Sequence, residues 1–329
     1  MENKNLMFGM RSTGKLHLGH YEGVLKNMTA LQEKFNCFIE VADWHSITTS
    51  YDADSIADNV YDMVADWLAA GIDPVKSTIF IQSYVKEHAE LFVLLSMMTP
   101  VSWLERVPTY KDQIQQLGLA GDSVCFGLLG YPVLQAVDIA LYKAAHVPIG
   151  RDQLPHLEFT REIIRRFNAQ TGSALVEPQA VLTDTPMLLG LDNRKMSKSY
   201  GNSIFLSETA EETAAKIMKM ITDPKRIKKT DPGDPAICNV YSYHKAYSTP
   251  ELTARVLEEC PKAAIGCVEC KKLMAASLNE KLRPVRERRA KFNDRAKIKE
   301  ILMDGNARAK KVAAETLGEV VEKMKMRYY

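Results

Sequence analysis

A chain of 329 residues, 46% hydrophobic and 26% charged, has length for one large or two ordinary domains and enough apolar residues for a real core. No run approaches the roughly eighteen apolar residues of a membrane span. Glu2, Lys4, Arg11 and Lys15 interrupt the first twenty positions, so a soluble, cytoplasmic protein is expected. The net charge of +2 conceals an asymmetry: residues 271–329 carry 17 basic against 8 acidic side chains, leaving 26 against 33 in residues 1–270. A basic segment appended to an acidic one suits contact with a polyanion, or else a solvated helical face.

In chain order, an apolar run at Leu6 to Met10 reads as a strand, Leu18 to Phe35 as a helix and Cys37 to Ala42 as a second strand. Ser55 to Ala70 is helical by spacing, Ser77 to Ile81 is strand-like, and Val85 to Met98 is again helical. Phe126 to Tyr142 reads as a helix despite Pro132, followed by a strand at His146 to Ile149 and a helix at Leu154 to Asn168. This alternation predicts an α/β class, a Rossmann-type doubly wound parallel sheet, with ligands at the carboxyl ends of its strands. Beyond Ser207 the pattern holds only helices: Glu208 to Ile221, Glu251 to Glu259, Lys271 to Arg289 and Ala307 to Lys325. A catalytic domain at 1–204 and an all-helical C-terminal domain at 205–329 are expected, the last helix packing back on the first domain.

Between the first strand and helix lies Phe8-Gly-Met-Arg-Ser-Thr-Gly-Lys-Leu-His-Leu-Gly-His-Tyr21. From Gly9 it runs like the phosphate loop G-x-x-x-x-G-K-[ST], but Leu16 replaces the hydroxyl that would hold Mg²⁺. Asp43 would be the metal carboxylate in that reading. The alternative is His17-Leu-Gly-His20, where a helix N-terminus favours anions, Gly19 admits a nucleotide close to the backbone, and two imidazoles donate to phosphate oxygens. Far along the chain, Lys195-Met-Ser-Lys-Ser199 sets two ammonium groups between Gly190 and Gly201, which suits a loop that reaches a polyphosphate.

HLGH followed by KMSKS about 180 residues later resembles the paired signature of class I aminoacyl-tRNA synthetases. The resemblance implies attack of an amino-acid carboxylate on the α-phosphate of ATP with Mg²⁺, departure of pyrophosphate, then transfer to tRNA. It assigns catalysis to His17, His20, Lys195 and Lys198. Tyr131-Pro-Val-Leu-Gln-Ala-Val-Asp138 resembles the specificity helix of the tryptophanyl and tyrosyl subclass, with Gln135 and Asp138 three apart and able to face one pocket. GMRSTGKLHLGH, Asp43 to Thr48, Trp103 to Thr109 and Val147 to Gln153 resemble the bacterial tryptophanyl branch, and Met7 stands where tyrosyl enzymes place a tyrosine.

On that resemblance, Met7, Gly9, His45, Tyr131, Gln135, Asp138, Val147 and Ile149 would line a tryptophan pocket. Gly9, Arg11, Ser12, Thr13, Gly19, His20, Gly150, Arg151, Asp152, Gln153 and Met187 would border ATP, with Lys195, Met196, Ser197, Lys198 and Ser199. Ser12 stands where the family usually has Pro, and Arg151 where Glu is common. The partners implied are tRNA(Trp), L-tryptophan, ATP and a second copy of the chain, with no membrane.

Cys238, Cys260, Cys267 and Cys270 have the spacing C-x21-C-x6-C-x2-C, which fits tetrahedral Zn²⁺ or a 4Fe-4S cluster, or simply buried thiols. The local Ile265 to Lys272 resembles the iron–sulfur subtype of the bacterial tryptophanyl enzymes. Lys271, Lys272, Arg283, Arg286, Arg288 and Arg289 follow at once, and are expected to meet tRNA phosphates.

Overall fold

The computed structural model describes residues 3–48, 51–116, 118, 121–173, 175–182 and 188–328. Among them five strands, β1 (Asn5–Met10), β2 (Asn36–Val41), β3 (Ser77–Ile81), β4 (His146–Ile149) and β5 (Gln179–Leu182), form one parallel sheet ordered β3-β2-β1-β4-β5. The doubly wound α/β class is borne out. The chain steps outward from β1 to β3, then crosses to β4, so the switch point lies between the carboxyl ends of β1 and β4, where such sheets bind ligands.

Helices α1 (Leu18–His20) and α2 (Lys26–Leu31) are joined through a π-turn at Tyr21–Leu25. The sheet region also carries α3 (Asp43–Ser46), α4 (Ala53–Ala70), α5 (Glu87–Ser96), α6 (Val101–Leu104), α7 (Pro108–Gln116), α8 (Phe126–Leu141) and α9 (Leu154–Thr171). Then come α10 (Ala210–Met218), α11 (Asn239–Tyr247), α12 (Pro250–Glu259), α13 (Cys267–Ala290) and α14 (Arg295–Lys323). Among the described residues no helix is long and apolar enough to cross a membrane.

Alternation along β1 sorts its side chains: Leu6 and Phe8 join the core formed with Trp67 of α4, while Met7 faces Phe38, Phe80, Val137 and Tyr142 under α8. Two positions on, Gly9 stands in register with Glu40, and both return to that second face. Glu40 therefore lies in an otherwise apolar layer, flanked by Gly9 and by Phe80.

Several elements differ from the sequence reading, which contained neither β5 nor the helices α3, α6 and α7. β5 begins after Pro178 and alternates exposure weakly, too short for a periodic signal. Helix α11 was not expected, yet Val240, Tyr243 and Tyr247 bury one face of it. Helix α14 starts at Arg295, twelve positions before the expected Ala307, because Gly305 does not break it. A side chain there would place Cβ 1.7 Å from the Ile79 carbonyl oxygen, so Gly305 is where this helix crosses β3 in near contact.

Candidate active site

The loop after β1 carries the first signature. Gly14 has φ of +105°, a conformation open to glycine at little cost, and any Cβ would stand 3.6 Å from Lys198 Nζ. Leu16 donates its N–H to the buried Asp66 of α4 at 3.0 Å, which fixes the turn from outside. The His17 N–H donates to His20 Nδ1 at 3.2 Å, so the proton of a neutral His20 belongs on Nε2. The two rings stack at 3.7 Å. Burial first, and the nearby Lys198 charge, hold His17 down to about 4; burial, His17 and Lys198 hold His20 down to about 3. Both imidazoles are thus neutral at physiological pH, each offering one N–H. Gly19 is small because His17 lies against it: a Cβ would meet the ring at 3.0 Å.

The second signature is brought to the first by main-chain pairing. Leu18 donates to the Ile204 carbonyl and Leu206 to that of Leu16, both at 2.9 Å. Lys198 Nζ donates to the Thr13 carbonyl at 3.0 Å, and burial lowers its pKa to about 8. Met196 is buried in the core beside Gly19. Lys195 differs: its main chain bridges to Leu189, and its side chain is exposed. The structure therefore unites His17, His20 and Lys198 around the loop and leaves the Lys195 ammonium in solvent.

Asn202 organises this second loop from within. Its Nδ2 donates to Asp192 Oδ1 and the Lys195 carbonyl, and its Oδ1 accepts from Ser197 N–H. A Cβ on Gly190 would come within 2.3 Å of Asn202 Nδ2. Helix α11 holds the base: Asn239 Nδ2 donates to the Gly190 carbonyl at 2.6 Å and Tyr243 Oη to that of Leu189 at 2.7 Å.

Next to β1, Asp138 of α8 is buried and accepts three hydrogen bonds: Oδ2 from His45 Nε2 at 2.9 Å, Oδ1 from His88 Nδ1 at 2.8 Å and from Gln82 Nε2 at 2.9 Å. The His45 and His88 contacts outweigh burial and hold the carboxyl low, at about 2. Asp138 is an anchored carboxylate, with Oδ2 retaining one lone-pair direction. His45 meets Tyr131 edge-on at 6.4 Å between ring centres, Met7 and Val147 are buried nearby in the same apolar layer, and Gln135 and Ile149 are half-buried.

Of the other residues expected to border a nucleotide, Ser12 is buried and its Oγ lies 3.2 Å from Ser46 Oγ. Arg11 and Thr13 are exposed on the loop, and Gly150 caps the turn Arg151–Gln153 at the end of β4. Asp152 and Ser199 are located by their main chain only, and Met187 lies outside the described residues.

Cys238 and Cys260 cap α11 and α12, and Cys267 and Cys270 lie in the first turn of α13. Cys270 is pushed up to about 12 by burial and by the Cys238, Cys260 and Cys267 thiols. Burial raises Cys260 as well, against the Arg226 guanidinium, whose Nη1 is 3.7 Å from the sulfur. Gly233 leaves room for that sulfur, since a Cβ would stand 2.6 Å from it. His244 Nε2 lies 3.4 Å from Cys270 Sγ.

The expected tRNA-facing arginines need correction. Arg286 donates to the Glu208 carbonyl, Asn279 and Thr213; Arg288 donates to the Ala69 carbonyl; Arg289 pairs with Asp66 and Asp62. These three guanidiniums staple α13 to α4 and α10 rather than face solvent, because buried main-chain and carboxylate acceptors lie on that side of the helix. Lys271 likewise donates to the Met218 carbonyl, whereas Lys272 and Arg283 are exposed.

Sequence reasoning passed over His88, Gln82, Asp66, Asn202 and Glu40. The first four are single polar residues whose partners lie far away in sequence. Glu40, a charge inside the apolar run Cys-Phe-Ile-Glu-Val, was visible as an anomaly.

A family profile described as tRNA synthetases class I (W and Y) matches residues 2–283. A tryptophan–tRNA ligase of Thermotoga maritima is 48% identical over 98% of this chain and 99% of its own length, and one of Aquifex aeolicus is 41% identical over 98% and 99%. A tryptophanyl-tRNA synthetase from Campylobacter jejuni, solved with ADP and tryptophan, superposes with a TM-score of 0.89 at 32% identity, covering 98% of this chain and 99% of that one. The chain belongs to the class I tRNA synthetases of the tryptophan and tyrosine group.

Proposed function

We propose that the chain is a tryptophan–tRNA ligase, which joins L-tryptophan to the α-phosphate of ATP with Mg²⁺, releases pyrophosphate, and transfers tryptophan to tRNA(Trp). One observation carries the reading: Lys198 of KMSKS donates to the loop of HLGH at 3.0 Å, at the switch point that also holds the anchored Asp138. His17 and His20, neutral, donate single N–H groups to phosphate oxygens as these gain charge, and Lys198 offsets charge on the leaving pyrophosphate. Lys195 joins it when its loop approaches bound ATP. Arg11, Ser12, Thr13, Gly19 and the Gly150 to Gln153 turn border the nucleotide. Catalysis is then positioning and electrostatics, with no covalent enzyme intermediate.

Asp138 accepts the indole N–H at its free lone pair. Phenylalanine has no such donor and would leave a buried carboxylate short of a partner, costing about 1–3 kcal/mol. ATP–pyrophosphate exchange tests the reading: exchange with tryptophan and little with tyrosine is expected, and the reverse would overturn it.

Residues 1–204 act as the catalytic unit and 205–329 as the unit that contacts the tRNA anticodon. Cys238, Cys260, Cys267 and Cys270 hold a 4Fe-4S cluster, with Zn²⁺ the alternative for the same four thiolates. Support comes from the Cys260 and Cys270 thiols, raised by burial and then by the neighbouring thiols, a repulsion that a bound cation reverses, and from Gly233, which makes room for one sulfur. The group would cross-link the ends of three helices. Iron and sulfide in anaerobically purified protein are expected; one zinc and no colour would select the alternative. Exposed Val93 on α5, Met97 just after it, Val101 on α6 and Phe126 on α8 support pairing of two copies.

A further inference from the structure

Strand β3 is an edge of the sheet, and an edge strand presents a row of main-chain groups without a strand partner. Helix α14 covers this row. It enters both cores, with Ile298 and Leu302 on the face that holds Trp67 and with Ala309, Ala313, Leu317 and Val320 on the face that holds Met7, so it lies along the sheet edge. Alternate residues of β3 aim their outward groups at it. Arg308 Nη2 donates to the Ser77 carbonyl at 3.2 Å, Gly305 sits against the Ile79 carbonyl, and the Ile81 N–H donates to Asn306 Oδ1 at 2.9 Å.

The Asn306 contact comes last along β3, one residue before the site. Gln82, the next residue, is completely buried and spans two elements: Nε2 donates to Asp138 Oδ1 at 2.9 Å, and Oε1 accepts the Trp44 N–H at 3.1 Å. The Ser83 N–H donates to Asp43 Oδ1 at 3.0 Å. Helix α3, which opens with Asp43 and Trp44, also carries His45, the donor to the other oxygen of Asp138. The end of β3 thus ties the aspartate of α8 to the helix of its histidine, and the Ile81 peptide is the fixed point from which Gln82 reaches both. Without an acceptor at position 306 that N–H would face α14 unpaired, which draws the strand end toward water.

We propose that Asn306, from the last helix of the chain, is a positioning residue for the amino-acid pocket: it fixes the end of β3 so that Gln82 holds Asp138 and α3 in place relative to one another. Asn306 touches no substrate and acts through the Ile81 N–H and Gln82. The inference rests on the tryptophan-pocket reading above. The Gly14 loop is held by other groups, Leu16 by Asp66 and Lys198 by the Thr13 carbonyl, so the effect falls mainly on one substrate.

The test is ATP–pyrophosphate exchange by the full-length protein, with tryptophan and ATP varied separately, in Asn306→Ala, Asn306→Asp, Gln82→Leu, and Gln82→Leu combined with Asn306→Ala. Asn306→Ala should raise tryptophan KM about fivefold or more while ATP KM stays within about twofold. Asn306→Asp keeps an oxygen at the same reach and should leave both KM values within about twofold of native. Because Asn306 acts through Gln82, adding Asn306→Ala to Gln82→Leu should change tryptophan KM by less than about twofold. A brace that only stabilises the fold would lower the urea midpoint with KM values unchanged, or raise both KM values together, and either result overturns the proposal. So does an Asn306→Ala effect that persists in full in the Gln82→Leu background. If Asn306→Ala does not fold, Asn306→Ser, whose oxygen is set back from the Ile81 N–H, is read against the same outcomes. If the native protein exchanges no tryptophan, the ligase reading itself fails; if it does and tryptophan KM does not move in the folded variants, only the role of Asn306 fails.

Discussion

Around Gly14 stand Asn59, one half-buried ammonium and two imidazoles held neutral, joined by contacts between two loops distant in sequence. Around Asp138 every donor comes from a different element, α3, the turn after β3, or α5, and all converge on one buried carboxylate. The signature end, which we propose takes the nucleotide, is the open one, with Arg11 and Thr13 exposed, and is made by main-chain pairing that brings Ile204 to Leu206 beside Leu16 to Leu18. The Asp138 end, which we propose takes the amino acid, is a closed network inside the core. A polyanion that must leave as pyrophosphate needs a site that can yield, whereas discrimination between aromatic rings needs one that cannot.

The largest expected effect breaks the closed end. Asp138→Ala leaves His45, His88 and Gln82 facing an empty acceptor position, a loss of about 3–5 kcal/mol for a broken buried charge network. Tryptophan-dependent exchange should fall by roughly two to three orders of magnitude, with tryptophan KM rising far more than ATP KM. Equal changes in both would erase the contrast between the two ends.

A smaller effect belongs to the open end. Lys198→Ala should reduce kcat about a hundredfold, the order seen when one transition-state donor is lost, with tryptophan KM little changed. Its charge also sets a pH limb. Because burial lowers Lys198 to about 8, the free protein loses this proton as pH rises through that value, and kcat/KM for ATP should decline above it. With His17 and His20 held to about 4 and 3, these imidazoles contribute no acid limb near neutrality. An acid limb near the ordinary histidine value that disappears in a His17→Asn or His20→Asn variant would contradict the neutral-imidazole assignment.

The last effect, on stability rather than activity, concerns the outside brace of the open end. Arg289→Met strips the partner from Asp66, which also positions the Leu16 N–H, and should destabilise the fold by about 3 kcal/mol, read as a lower midpoint in urea. The same arginine reversed in charge should unfold the protein rather than merely weaken RNA binding, which separates a structural staple from a phosphate contact.

Much of the sheet was legible because its strands are buried on both faces and so stand out as continuous apolar runs; β1 to β4 fall within one residue of the sequence reading. Edge strand β5 lacks that signal. Gly305 resembled a helix break, since the carbonyl of Ile79 that requires it lies more than two hundred positions away. The two signatures were readable as strings of uncommon residues in a fixed order, but not the exposure of Lys195 or the anchoring of its loop by Asn239 and Tyr243 of α11.

By itself the sequence determined the class of the sheet and the two signatures, because period, glycine placement and short motifs are local properties. Only the tertiary structure decided which of two lysines reaches the first loop, that three arginines of the basic segment are spent inside the protein, and that Glu40 stands unpaired beside Asp138. Desolvation and hydrogen-bond satisfaction depend on what surrounds a side chain in three dimensions, and no spacing along the chain encodes them.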